Sequence, residues 1–183
     1  MRPLLRFEGV ACRRGGRLLF EDLNVTLGPG EALQVTGPNG SGKSSLLRLA
    51  AGLLRPERGR VDRTHLAIAD DGLALDRELP LAKALRFWGG NVETAMDALG
   101  LALLGEVPVR LLSAGQARRA TLARVAASGA PLWLLDEPAN ALDSESVGLL
   151  AESINRHRST GGAILAASHS LLPGDWRQLE LGA

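Results

Sequence analysis

The sequence predicts an α/β fold built on a mainly parallel sheet, and three observations predict it. The run Gly37-Pro38-Asn39-Gly40-Ser41-Gly42-Lys43-Ser44 fits the phosphate-binding pattern G-x-x-x-x-G-K-[ST], set between a strand-like and a helix-like stretch. Two short apolar runs, 131–135 and 163–167, break off at polar pairs, Asp136-Glu137 and Ser168-His169. Stretches of helical spacing separate these strands, and that alternation implies parallel pairing, with functional residues gathered at the strands' C-terminal ends.

Taken in order, the first stretch is β-rich: residues 4–10, a turn at Gly15-Gly16, then strict alternation over 23–27 ended by Gly28-Pro29-Gly30. Residues 31–36 form a strand entering the phosphate loop. Leu46, Leu47, Ala50, Leu53 and Leu54 place a helix over 44–54. A strand follows near 66–69, then a loop with Asp70, Asp71 and Gly72. Residues 80–108 are Ala- and Leu-rich with helical spacing, which suggests a compact helical lobe inserted over approximately 80–110 of a single domain spanning 1–183. Ser113 is placed to cap a helix over 114–128, with Arg118, Arg119 and Arg124 on its polar side. The continuously apolar runs 131–135 and 163–167 suit strands buried on both faces, and a helix over 144–158 lies between them.

Length and composition narrow the functions available. The 183 residues are enough for one domain with a substantial core. A net charge of +1 is not the basic field that non-specific nucleic-acid binding needs, so no nucleic-acid partner is expected. The single cysteine, Cys12, excludes an internal disulfide, fits a reducing compartment and reads as a small buried hydrophobe. Residues 1–10 carry Arg2, Arg6 and Glu8 and lack a signal peptide's apolar centre, and no apolar run approaches the roughly 18 residues of a membrane span. Membrane work would therefore need a partner.

The chemistry follows from residue types and spacing. Glycines let successive N–H groups turn toward an anion, and the following helix adds its positive end. Lys43 would reach the β- and γ-phosphates of a nucleoside triphosphate. Ser44, with Ser45 adjoining, would offer a hydroxyl to Mg²⁺. Only Lys43 and Lys83 are lysine in a chain otherwise rich in arginine. After the apolar strand, Asp136 would help hold Mg²⁺, while Glu137 would orient or deprotonate the attacking water. His169, past the second such strand, would contact the γ-phosphate or support that water; otherwise it is a capping or core histidine.

The segment Leu112-Ser113-Ala114-Gly115-Gln116 resembles the LSGGQ signature of ATP-binding cassette (ABC) ATPases, with Ala at the third position. The order of phosphate loop, signature, Asp-Glu, Ala141-Leu142-Asp143 and His169 matches that family from Gly37 to His169. The resemblance implies a P-loop fold with an N-terminal antiparallel β part, a parallel core and a small helical lobe. It also implies an ATP-closed dimer in which Ser113, Gly115 and Gln116 of one copy face nucleotide held by the other. Residues 108–119, 131–138 and Leu85-Arg86-Phe87-Trp88 are similar to the branch of the family that serves cytochrome c maturation. That likeness implies an ATPase docked on an integral membrane subunit resembling CcmB, with CcmC and the haem chaperone CcmE in the wider assembly. The location implied is the cytoplasmic face of the inner membrane, peripheral through that partner. Another small-cargo transporter, or a nucleotide-gated binding module with weak hydrolysis, is the alternative.

Two departures stand out. The family's Q-loop glutamine is missing, because no Gln lies between Gln34 and Gln116; by position Asp70 replaces it. Where relatives place an aromatic ring against adenine, this chain has Arg13-Arg14-Gly15-Gly16-Arg17 and no tyrosine at all. Arg14 is the candidate to stack on the base, or is simply solvated.

Overall fold

The computed structural model describes residues 2–182. Among these described residues, eight strands form two sheets. Strands β1 (Leu5–Arg14), β2 (Arg17–Leu27) and β4 (Arg58–Arg63) make an antiparallel sheet in the order β2-β1-β4. The second sheet contains β3 (Ala32–Thr36), β5 (Leu66–Ala69), β6 (Leu132–Asp136), β7 (Ala163–Ala167) and β8 (Arg177–Glu180), in the order β5-β6-β7-β3-β8 with parallel pairing throughout. The helices are α1 (Lys43–Ala51), α2 (Leu81–Arg86), α3 (Val92–Ala98), α4 (Ala114–Ala127) and α5 (Ser144–Ser159), with 3-10 turns at Ala102–Leu104 and Val109–Leu111.

The apolar strands are continuous because both faces of the parallel sheet are covered. Along β6 the side chains alternate. Leu132 and Leu134 join a cluster with Leu46 and Leu47 of α1 and Leu5 and Phe7 of the antiparallel sheet. Trp133 and Leu135 join a second cluster with Leu81, Leu85, Met96, Leu122 and Ile154 of the other helices. No described helix is long and apolar enough to cross a membrane.

Several elements differ from the expected pattern. Strand β1 runs on to Arg14 through register shifts after Phe7, Val10 and Cys12, so the alternation that ends at Val10 does not mark its end. Helix α1 stops at Ala51, where Gly52 in the left-handed region donates to Arg48 O and Leu49 O. The Ala- and Leu-rich stretch 80–108 is divided into α2, α3 and the 3-10 turns, with Gly89-Gly90 between the two helices. Strands β4 and β8 carry no alternation, because both are largely exposed edge strands.

Candidate active site

Strand β3 delivers the chain to Gly37, whose φ of +136° takes it into the loop; a Cβ there would lie 2.2 Å from Leu181 O, so the position needs glycine. The loop ends at Gly42, the N-cap of α1, and no side chain caps that helix. Its first N–H groups are therefore left for an anion. The Lys43 ammonium lies folded against the loop and donates to Gly37 O (2.7 Å) and Pro38 O (3.1 Å). Pro38, Asn39 and Gly40 form the exposed tip, while Ser45 is half-buried behind it. The buried Ser41 hydroxyl has no hydrogen-bond partner among the described residues. Uncapped N–H groups, an ammonium and an orphaned hydroxyl in one loop are a donor set that fits a polyphosphate.

Asp136 closes β6, and the next residue, Glu137, has φ +46°. This left-handed residue turns the backbone between two adjacent carboxylates, so they do not serve the same point. Burial pushes the Asp136 carboxyl above its ordinary value, the Ser44 hydroxyl beside it pulls the other way, and Asp71 and Glu137 add to the rise. Among the described residues no cluster of three His, Cys, Asp or Glu side chains could hold a metal unaided. The donors Ser44 and Asp136 instead fit a Mg²⁺ that takes its remaining ligands from phosphate and water.

Glu137 is fixed from two sides. Its N–H donates to Ala167 O (2.8 Å). Its carboxylate accepts the His169 N–H at 3.1 Å and lies 2.9 Å from His169 Nδ1. The fold thus brings together residues just beyond the C-terminal ends of the neighbouring strands β6 and β7, as the two polar pairs at strand ends suggested. The carboxylate is mostly covered and the imidazole largely exposed, so the pair presents a base backed by a second proton-handling group.

The segment 112–116 opens α4. The Ser113 hydroxyl accepts the Gln116 N–H (3.2 Å), and Gln116 Oε1 accepts the Ser113 N–H (2.9 Å), a reciprocal capping box. Ser113 is exposed, whereas Gln116 is half-buried with its amide oxygen engaged in the cap. Gly115 permits a close approach, since a Cβ there would sit 2.9 Å from Ala141 O. Ala114, the residue that departs from the glycine of the motif, is exposed at the first helical position and meets no such constraint.

Comparison with known proteins agrees with this geometry. The ABC transporter family model matches residues 20–140. The chain is 55% identical to the cytochrome c biogenesis ATP-binding export protein CcmA of Sphingopyxis alaskensis, over all of this chain and 98% of the relative. It is 51% identical to the protein of the same description from Zymomonas mobilis, over 97% of this chain and 84% of the relative. A solved structure described as the ATP binding subunit of an ABC transporter superposes with a TM-score of 0.86 at 22% identity, covering 98% of this chain and 88% of that one. The chain belongs to the ABC transporter ATP-binding family.

Within this ABC chain the structure adds residues that the motifs did not announce. Gln34, fully buried in β3, donates to Ser170 O (2.7 Å) and accepts the Leu172 N–H (3.2 Å), so the phosphate-loop strand anchors the segment that follows His169. A lone amide in the apolar run Ala32–Thr36 was the available signal. Arg118 and Arg124 were expected on the polar side of α4, yet both turn inward. Arg124 is 7% exposed and donates to Ile68 O (2.6 Å); Arg118 donates to Asp70 O (2.9 Å) and to Asp136 O. For Arg124 the cause is β5, an edge strand whose outer carbonyl side has no strand partner; Arg118 takes carbonyls just past the end of β5 and at the end of β6, where the sheet pairing stops. The Asp70 carboxylate accepts the Gly72 N–H (3.1 Å) and so closes its own turn. Arg13 is engaged with Glu57 and Gly16 O, while Arg14 is exposed at the hairpin end.

Proposed function

We propose that the chain is the ATP-hydrolysing, energy-coupling subunit of an ABC-type complex in c-type cytochrome biogenesis. The observation that carries the hydrolytic part is the Glu137–His169 pair, a carboxylate held at 2.9 Å from an imidazole nitrogen at the ends of adjoining strands. Residues 37–45 bind the phosphates through loop N–H groups and Lys43, which stabilise charge that builds up during transfer. Mg²⁺, held by Ser44 and Asp136, supplies charge neutralisation when bound. Glu137 accepts a proton from the attacking water, and His169 orients that carboxylate.

Ser113, Gly115 and Gln116 serve the second copy: their exposed helix N-terminus meets nucleotide bound to the partner's phosphate loop, so two chains close on two ATP. Closure does work only because the closed dimer binds ATP more tightly than the open one. The membrane subunit is one resembling CcmB, with CcmC and CcmE in the wider assembly, and the chain sits on the cytoplasmic face of the inner membrane. Support for the biogenesis assignment comes from relatives described as cytochrome c biogenesis ATP-binding export proteins at 55% and 51% identity.

The test is covalent-haem staining of membranes from cells lacking every copy of the gene. The natural sequence restores c-type cytochromes and Glu137→Gln does not, while purified Glu137→Gln loses about 100-fold or more in ATP turnover and keeps nucleotide affinity. Normal cytochromes in the deletion strain would remove the biogenesis role. Full turnover in Glu137→Gln would remove the catalytic role.

A further inference from the structure

We propose that Arg118 is a positioning residue for hydrolysis, setting the direction of Glu137 by tying the first turns of α4 to the backbone on both sides of that carboxylate. The inference rests on the reading of Glu137 as the group that activates water.

One guanidinium reaches three segments. Arg118 Nη2 donates to Asp136 O, Nη1 donates to Asp70 O at 2.9 Å, and Nε approaches Pro138 O at 3.4 Å. Asp136 and Pro138 are the residues immediately before and after Glu137, so the arginine brackets it. Glu137 needs such bracketing, because a non-glycine residue at φ +46° lies in a sparsely populated region and persists only where its surroundings hold it. His169 fixes the far end of its side chain, while Arg118 holds the peptide unit that enters Glu137, through Asp136 O, and the one after Pro138. A planar fork with five N–H donors suits three carbonyls at once; an ammonium on a flexible stem does not.

The other end of the strut explains what it connects. Arg118 is the fifth residue of α4, about a turn and a half beyond the Ser113 cap. A rigid helix therefore transmits any displacement of the exposed Ser113 end directly to the guanidinium. The third carbonyl, Asp70 O, lies at the end of β5, the strand that Arg124 of the same helix also grips. This is where the chain lacks the glutamine of its family. Here the connection between the β5 end and the site is made by a main-chain carbonyl and an arginine, while the Asp70 carboxylate is occupied with Gly72 N–H. The identity of the side chain at position 70 is then immaterial to hydrolysis, and the identity of residue 118 is decisive.

The experiment compares natural chain, Arg118→Lys, Arg118→Met and Asp70→Asn, each purified whole and together with the membrane subunit that co-purifies with it. Single-turnover hydrolysis, equilibrium MgATP binding and thermal melting are measured on each. The expected result is a fall of about 100-fold in the hydrolysis rate for Arg118→Met and about 10-fold for Arg118→Lys, with MgATP affinity within about threefold of natural. Asp70→Asn, which can still close its turn on Gly72 N–H, stays within about twofold in both quantities. Hydrolysis within about threefold of natural in both Arg118 variants overturns the proposal. So does a loss of rate matched by an equal loss of affinity, the mark of an arginine that only supports the fold. So does an Asp70→Asn loss as large as that of Arg118→Met, which would move the connection onto the side chain. If Arg118→Met does not fold, Arg118→Lys decides by the same criteria. Failure of the parent reading looks different: the natural chain and Glu137→Gln would hydrolyse ATP alike.

Discussion

The Trp133 indole and the His157 imidazole lie face to face, 3.9 Å between centroids and 11° from parallel. Burial pushes the His157 pKa below its ordinary value of 6.5, and backbone hydrogen bonding near Ala163 and Pro131 only partly opposes it. A histidine that prefers neutrality in the folded chain contributes stability above about pH 6.5, and that contribution is lost as pH falls through the lowered folded value. His157→Phe keeps an aromatic face against Trp133 and removes the titration. Melting temperatures of the two chains should therefore converge or cross in favour of the variant between pH 7.5 and 5, and a constant gap over that range would refute the account. Candidate residues with distinctive chemistry could be picked out of the sequence by their position: Lys43, Asp136, Glu137 and His169 each lie at a turn or strand end where a polar group interrupts an apolar or glycine-rich run. Gln34 and Arg118 were not readable. An amide in a strand and an arginine on a helix declare nothing until the fold shows which carbonyls and N–H groups lack partners.

At the scale of elements, the capping box that starts α4 makes a separate prediction about stability. Ser113→Ala removes the acceptor for the Gln116 N–H and should cost about 1 kcal/mol. Without nucleotide, that is a drop of roughly 2–4 °C in melting temperature for a chain of this size. An unchanged melting temperature would mean that the cap contributes nothing to folding. The helices and buried strands were legible to within one or two residues at most ends because burial imposes a period on them: α4 ends one residue before the expected limit and α5 one residue after. Strand β4, Arg58–Arg63, is a case where the signal is physically missing. Its sequence RGRVDR has one apolar side chain and no buried residue, and its pairing comes from β1 alone. The stretch 80–108 shows the reverse, since helical spacing persists through turns that break the helix.

Taken whole, the molecule is layered so that its C-terminal strand completes its phosphate loop. Strand β8 pairs with β3 on the side away from β7. The next residue, Leu181, is 4% exposed; its N–H donates to Thr36 O (2.9 Å) while its carbonyl lies against Gly37. Leu181→Ala should lower stability by about 2–5 kcal/mol in denaturant melts. It should also weaken MgATP binding under conditions where the variant remains folded, because the backbone of the loop leans on that residue. Lost stability with unaltered MgATP affinity would separate the two layers. The parallel core was legible in the sequence, whereas this closing strand was not, since its four residues contain one half-buried side chain.

The ring that Arg124 covers has a use outside catalysis. Trp88 lies 4.7 Å from that guanidinium, donates to Ala74 O and remains 45% exposed, while Trp133 sits in the core against His157. With three tryptophans and no tyrosine in the chain, near-ultraviolet emission is free of tyrosine background. One fluorophore looks outward beside the arginine that holds β5, and another lies stacked on the His157 imidazole. The molecule therefore carries its own optical reporters, and with the third, buried tryptophan, Trp176, replaced by Phe, changes at the helical surface and around His157 can be followed by emission without attaching a dye.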